Sequence, residues 1–210
     1  GKKWFGLGRI ELNELNDVKE YLNKKFWFIK PEKDFTLDSI LKHVKQLKVT
    51  NGLDAFVIDA WNKLEHKYGQ SETKYIGESL DKLATFCEEN NVHCFLVAHP
   101  TKILKNKETQ MYEIPNLYNI SGSANFYNKT DNGLTIYRNY QTEKTEVYIQ
   151  KVKFSHWGEV GMCEFKYHLD SGRYLQDENE DIYNWIKYKS QKKEFEFAQE
   201  LTPFPIINPV

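Results

Sequence analysis

The apolar positions of this chain fall into short blocks whose spacing alternates between helical and extended. Residues 13–25 are polar with helical spacing and predict a helix, and residues 26–29 predict a short strand. Thr36 predicts the N-cap of a helix that reaches about Val49. The first quarter of the chain is therefore expected to be mainly helical.

Two continuous apolar runs, residues 55–58 and 94–98, end in the polar residues Asp59 and His99. Such runs are typical of strands that are buried on both faces of a sheet. Apolar residues recur at intervals of three and four between residues 76 and 87, which predicts a crossover helix and a parallel βαβ unit. Because open parallel sheets bind ligands at the carboxyl ends of their strands, we expect Asp59 and His99 side by side at a ligand-facing edge.

The pattern changes after Pro100, where a polar loop and a small-residue segment precede alternating stretches that predict antiparallel strands. The predicted strands cover residues 133–140, 145–154, 162–167 and 173–175. From residue 176 onward we expect an acidic linker, a helix around Trp185 and an irregular tail. The predicted fold class is thus α/β, with a main domain over residues 1–176 and a separate segment over 177–210.

Composition limits the class of protein further. A chain of 210 residues fits one domain, and no stretch approaches the roughly 20 apolar residues of a membrane span. The N-terminal residues lack the apolar stretch of a secretory signal, so we expect a cytoplasmic protein without a membrane partner. Three cysteines without metal-type spacing predict buried, reduced thiols.

Charge argues against a protein that coats nucleic acid by electrostatics alone, because the formal net charge is -1. Between His99 and Lys153, however, eight Lys and Arg residues stand against five Asp and Glu residues. Any anionic partner is therefore expected to bind this middle region.

Four segments taken in order resemble one family. They are AFVIDAWN at residues 55–62, LVAHPTK at 96–102, ISGSA at 120–124 and QKVKF at 150–154. Together they resemble the hexameric replicative helicases of the DnaB-like type, in particular the phage primase-helicases and the Twinkle type. The resemblance covers roughly residues 50–176. It implies a partial RecA-like P-loop ATPase core, in which antiparallel strands extend a parallel sheet that has helices on its faces.

The resemblance also implies roles for individual residues. Asp59 matches the aspartate that holds Mg²⁺ through water, and His99 matches the switch residue that reads the terminal phosphate of ATP. Lys151 and Lys153 match basic residues that reach the neighbouring subunit's nucleotide in a ring, expected to be a hexamer. The remaining matches are Asn62, Thr101 and Lys102 for nucleotide binding, and Ser121, Gly122, Ser123, Asn125 and Lys129 for single-stranded DNA.

The sequence departs from the family in three ways. No Gly-x-x-x-x-Gly-Lys-Ser/Thr stretch occurs, and the family's catalytic glutamate is not identifiable in residues 1–50. Lys153 stands where arginine is common, and lysine cannot make arginine's planar two-bond contact. We therefore expect part of a larger helicase that is fused to a primase or belongs to the replication apparatus of a phage or mobile element. Alone it should neither hydrolyse ATP nor hold a tightly bound cofactor.

Other interpretations stay open at this point. A non-enzymatic, degenerate RecA-like module would keep the DNA-binding segment as a scaffold, and a RecA-like recombination or repair ATPase would share the sheet but differ in partners. Individually, Asp59 could cap the following loop, and His99 could be satisfied by backbone groups. Residues 121–125 could be a simple helix-starting turn, and the two lysines could be ordinary exposed strand residues.

Overall fold

The computed structural model describes residues 12–31, 33–67, 69, 71–101, 103, 105–107, 112–120, 123–169 and 172–176. The helices are α1 (Leu12–Lys25), α2 (Leu37–Asn51), α3 (Glu72–Asn90) and α4 (Ser123–Lys129). The strands are β1 (Ala55–Asp59), β2 (His93–Val97), β3 (Asn132–Asn139), β4 (Lys144–Val152), β5 (Gly161–His168) and β6 (Arg173–Leu175). The predicted linker, the helix around Trp185 and the tail lie outside the described residues, so the boundary after residue 176 stays a prediction.

The N-terminal part confirms two predicted helices and corrects one strand. Thr36 caps α2, since its hydroxyl accepts a hydrogen bond from the backbone N–H of Ser39 at 3.3 Å. Residues 26–29 form no strand, so that prediction is wrong. Phe28 is 94% exposed, and an isolated extended segment has no ladder that would hold it as a strand.

The predicted βαβ unit is confirmed, because β1 pairs in parallel with β2 and α3 connects them. One expectation about it is wrong: the strands are not buried on both faces. Phe56 and Ile58 are buried in a core with α2 and α3, whereas Val57 is 62% and Phe95 is 52% exposed. The described elements therefore cover a single face of this two-stranded sheet.

The antiparallel strands are confirmed as one sheet of order β3-β4-β5-β6. This sheet meets a 3₁₀ turn, Leu117–Asn119, which we name the 117–119 turn. Gly133 allows the contact, because a Cβ there would clash with Leu117 Cδ1. The side-chain amide of Gln150 holds the same segment, accepting from the N–H of Leu117 at 3.1 Å and donating to the carbonyl of Pro115 at 2.8 Å.

A second core cluster ties α4 to the βαβ unit. Trp61 follows β1, Ile76 and Leu80 lie on α3, and Phe126 lies on α4; all four are buried together. The rings of Trp61 and Phe126 meet edge to face, with their centroids 5.8 Å apart. In the part of the chain that the structure describes, no helix has the length and apolar character to cross a membrane.

Candidate functional site

The residues after β1 and β2 form the candidate site. Asp59 ends β1 and lies opposite Val97, the last residue of β2 in the parallel register, and His99 follows two residues later. The aspartate and the histidine are therefore delivered by neighbouring strands to the same edge of the sheet, as the sequence predicted. Both residues are exposed, so both are accessible to a ligand at this edge.

Asn62 joins the two strand ends directly. Its side-chain oxygen accepts a hydrogen bond of 2.8 Å from the backbone N–H of His99. Asn62 lies in the 3₁₀ turn that follows β1, while His99 follows β2, so this bond crosses between the two strand ends. Among the described residues, none donates a hydrogen bond to the carboxylate of Asp59, which does not support the interpretation that Asp59 only caps the following loop.

Thr101 connects the segment that follows His99 to the 117–119 turn. Its backbone N–H and its hydroxyl both donate to the carbonyl oxygen of Asn119, at 2.6 and 2.7 Å. The turn is itself rigid, because Asn116 and Asn119 form a reciprocal capping box around it. Sequence patterns did not single out Asn119, since a carbonyl acceptor carries no residue-type signal.

The described part of the predicted DNA-contacting segment lies in α4, and the structure gives the side chains of Asn125 and Lys129 internal partners. The amide of Asn125 donates to the carbonyl of Thr73 at 2.8 Å, and the same side chain packs against Gly77. Lys129 forms an ion pair with Asp81, so α4 is fastened to α3 by two polar side chains. Ser123 begins α4, and Ser121, Gly122 and Lys102 lie outside the described residues.

The two basic residues matched to trans-acting positions are also engaged within the chain. Lys151 donates to the carbonyl oxygens of Tyr127 and Asn128, near the end of α4. Lys153 pairs with Asp131 at 2.7 Å, and both side chains are about half exposed. Lys153 can be released at low cost, because exposed ion pairs contribute about 0.2–1 kcal/mol.

Metal-binding clusters and reactive thiols are two kinds of chemistry that the described residues do not offer this edge. Within the described ranges, no group of three or more His, Cys, Asp or Glu side chains could hold a metal ion. Cys94 in β2 is not a nucleophile candidate, because burial raises the pKa of its thiol to about 12. All three cysteines are free and half-buried, which agrees with reduced thiols but not with full burial.

A single carboxylate at the edge nevertheless suits magnesium. Mg²⁺ keeps most of its waters and is commonly bound by one or two carboxylates together with substrate phosphates. Asp59 could supply one such contact through water, but it cannot hold the ion without a phosphate ligand. The residues present therefore fit a magnesium ion that arrives with a nucleotide.

No protein-family model matches the chain. The chain is 32% identical over 177 residues to the Twinkle homolog protein, chloroplastic/mitochondrial, of Arabidopsis thaliana. That match covers 79% of this chain and 24% of the relative, so the chain spans about a quarter of that protein.

The fold is shared with a solved structure of an ATPase domain. The TM-score is 0.65 at 17% sequence identity, over 82% of this chain and 62% of the other. At this level of identity the structural likeness shows the fold, while the sequence relative supplies the family. Together they confirm the resemblance read from the residues: this chain corresponds to part of a DnaB/Twinkle-like helicase ATPase domain and has a RecA-like fold.

Proposed function

We propose that this chain is the nucleotide-reading and DNA-contacting part of an ATP-dependent replicative DNA helicase. The observation that carries the proposal is the shared edge, where Asp59 and His99 follow neighbouring parallel strands and Asn62 bridges them. An acid and an imidazole at this edge suit a nucleotide with its metal ion, because parallel sheets present ligands there. In this proposal Asp59 holds Mg²⁺ through water, and His99 faces the terminal phosphate of ATP.

The bonds of Thr101 support a route from nucleotide to DNA. A shift of His99 would pull on Thr101, which is bonded twice to Asn119 in the 117–119 turn. The turn leads directly into residues 121–129, which we propose as the contact with single-stranded DNA. Asn62, Thr101 and Lys102 complete the nucleotide-facing residues of the proposal.

The DNA contact proposed for Ser121, Gly122, Ser123, Asn125 and Lys129 relies mainly on backbone groups. Small residues allow a backbone to approach phosphates closely, and N–H groups at such a segment donate to phosphate oxygens. The internal bonds of Asn125 and Lys129 hold α4 against α3. Lys129 adds charge only to the extent that a phosphate competes with Asp81.

The proposal further places Lys151 and Lys153 at the nucleotide of a neighbouring subunit in a ring, expected to be hexameric. Positive charge there would stabilise the charge that develops during phosphoryl transfer. Attachment to a primase, an origin in a phage or mobile element and a cytoplasmic location are parts of the same proposal. The Arabidopsis relative is, by its name, chloroplastic or mitochondrial.

ATP hydrolysis by the chain alone is the first test. The sequence contains no Gly-x-x-x-x-Gly-Lys-Ser/Thr loop, so no lysine of that kind meets the phosphates. We expect phosphate release at the background rate with and without DNA. Turnover of ATP that disappears in Asp59→Ala would contradict this expectation.

Single-stranded DNA binding is the second test, measured by fluorescence anisotropy of a labelled oligonucleotide at rising salt. We expect weak, salt-sensitive binding that Asn125→Ala combined with Lys129→Ala reduces. Asp81→Ala is the matched control, because it breaks the same ion pair but leaves the lysine charge available. Binding that the double substitution leaves unchanged would remove residues 121–129 from the proposal.

A second candidate is a non-enzymatic RecA-like module that binds DNA as a scaffold. The observation that favours it is Lys153, which stands where the family commonly has arginine and cannot make arginine's planar two-bond contact. The two candidates differ in whether the edge at Asp59 recognises a nucleotide with its metal ion. A scaffold would bind single-stranded DNA, but His99 would show no response to a nucleotide with its metal ion.

A further inference from the structure

A tyrosine just before the proposed DNA-contacting segment, Tyr118, stacks on a tyrosine within it, Tyr127. The rings of Tyr118 and Tyr127 lie with centroids 4.6 Å apart and planes inclined by 22°. Tyr118 belongs to the 117–119 turn and Tyr127 belongs to α4. The stack therefore joins the turn to the helix. Tyr118 is 53% exposed although its ring stacks on Tyr127, so much of the residue stays accessible to solvent.

The position of Tyr118 is fixed by its backbone. Its N–H donates to Asn116 Oδ1 at 2.8 Å within the capping box, and the preceding Leu117 is buried beneath Gly133. Because the backbone is fixed and the ring already stacks on Tyr127, the Tyr118 side chain loses little freedom when another ring stacks on it. Preorganisation of this kind lowers the entropic cost of binding.

Positive charge lies next to the stack. The ammonium of Lys151 is 5.0 Å from the centroid of the Tyr127 ring, and its two hydrogen-bond acceptors are neutral carbonyls. Its charge is therefore not cancelled by those partners, unlike the charge of Lys129, which is paired with Asp81. An aromatic face beside an uncancelled cation suits a ligand that carries both a flat ring and a phosphate.

From these contacts we propose that Tyr118 is a stacking surface for one unpaired base of single-stranded DNA. The inference deepens the proposed function, on whose DNA contact it rests, by adding a base-reading residue to a segment proposed to contact phosphates. Single-strand binding proteins commonly combine a basic groove with aromatic rings on which bases stack. Tyr118 directly precedes Asn119, and Asn119 is bonded to Thr101, which lies two residues after His99.

The test compares oligonucleotides with and without bases. Fluorescence anisotropy measures binding of the full chain to a labelled thymidine oligonucleotide and to an abasic strand of equal length. Tyr118→Ala is expected to weaken binding to the thymidine strand at least about fivefold, because alanine removes the ring on which a base would stack. Binding to the abasic strand should not change, and Tyr118→Phe should retain the wild-type affinity.

The matched control is Tyr140→Ala, which removes a tyrosine that is 82% exposed in the turn between β3 and β4. Equal losses on both strands would make Tyr118 a structural residue and overturn the inference. An unchanged affinity of Tyr118→Ala for the thymidine strand would overturn it as well.

The same titrations separate this inference from the proposed function. Failure of the wild-type chain to bind either strand would overturn both the inference and the proposed DNA contact. Binding that Tyr118→Ala weakens, but that Asn125→Ala with Lys129→Ala leaves unchanged, would support the inference and remove only Asn125 and Lys129 from the contact.

Discussion

The edge that holds Asp59 and the region around α4 use polar residues in opposite ways. At the edge, Asp59 and His99 are exposed, and the side chain of Asn62 accepts a hydrogen bond from the backbone N–H of His99. Around α4, by contrast, Asn125 and Lys129 are bonded to α3. Exposed groups with few internal partners are available to a ligand, while engaged groups stabilise the fold first.

This difference predicts that substitutions will separate into two classes. Changes around α4 should lower the free energy of unfolding and disturb any DNA contact through the structure. Changes to the exposed side chains of the edge, such as Asp59, should leave stability nearly intact and alter ligand binding alone. The four substitutions below run from the largest expected loss of stability to the smallest, and each is measured by urea unfolding followed through tryptophan fluorescence.

Phe126→Ala should have the largest effect. Phe126 is 6% exposed and packs against Trp61, Ile76 and Leu80, so its removal leaves a cavity where α4 meets the βαβ unit. Substitution of a buried phenylalanine by alanine typically costs about 3–5 kcal/mol. A loss below about 1 kcal/mol would mean that α4 is not anchored by this cluster, and the comparison would fail at its strongest point.

Lys151→Ala should come next, at about 1–2 kcal/mol. It removes hydrogen bonds from a charged donor to two carbonyls near the end of α4, and such bonds contribute about 1.5–3 kcal/mol when shielded. Lys153→Ala is the control, because its ion pair with Asp131 is half exposed and should contribute less than about 1 kcal/mol. Equal losses for the two lysines would show that Lys151 has no special structural role.

Asn62→Ala should cost about 1 kcal/mol, which is typical of one net hydrogen bond. The substitution frees the backbone N–H of His99 and so loosens the segment that begins there. Asn62→Asp keeps an acceptor in place and should restore most of the loss. If Asn62→Asp is as destabilising as Asn62→Ala, the bond to His99 is not what holds the two strand ends together.

Asp59→Ala should have the smallest effect on folding, within about 0.5 kcal/mol, as expected for an exposed side chain without internal partners. It would nevertheless remove the carboxylate proposed to contact magnesium. A loss of several kcal/mol would place Asp59 among the structural residues. The edge and α4 would then no longer differ in how they use polar side chains.

Periodicity in the sequence predicted most elements of the fold correctly. Helical spacing gave α3, and the polar ends of two apolar runs gave the shared edge of Asp59 and His99. The same apolar runs misled about burial, because Val57 and Phe95 are exposed. An apolar run shows that both faces of a strand could be buried. It does not show whether another element packs against each face.

The candidate site was predicted in its residue types and missed in its connections. Asn62, Thr101 and Lys129 were all named from the resemblance, yet their partners His99 N–H, Asn119 carbonyl and Asp81 were not. Two of these partners are backbone groups, which every residue possesses, so no residue type marks them. The third is a helix-surface acid whose distance from Lys129 depends on how α4 packs.

The most direct test of the nucleotide-facing edge is paramagnetic broadening of histidine NMR signals by Mn²⁺ with ATP. Mn²⁺ replaces Mg²⁺ and broadens nearby nuclei even when binding is weak, so the test does not require a phosphate-binding loop. We predict that the imidazole signals of His99 broaden well before those of His43 on α2, and that Asp59→Ala abolishes the difference. Equal broadening of the two histidines, or broadening of His99 that Asp59→Ala leaves unchanged, would contradict the assignment of this edge to the nucleotide.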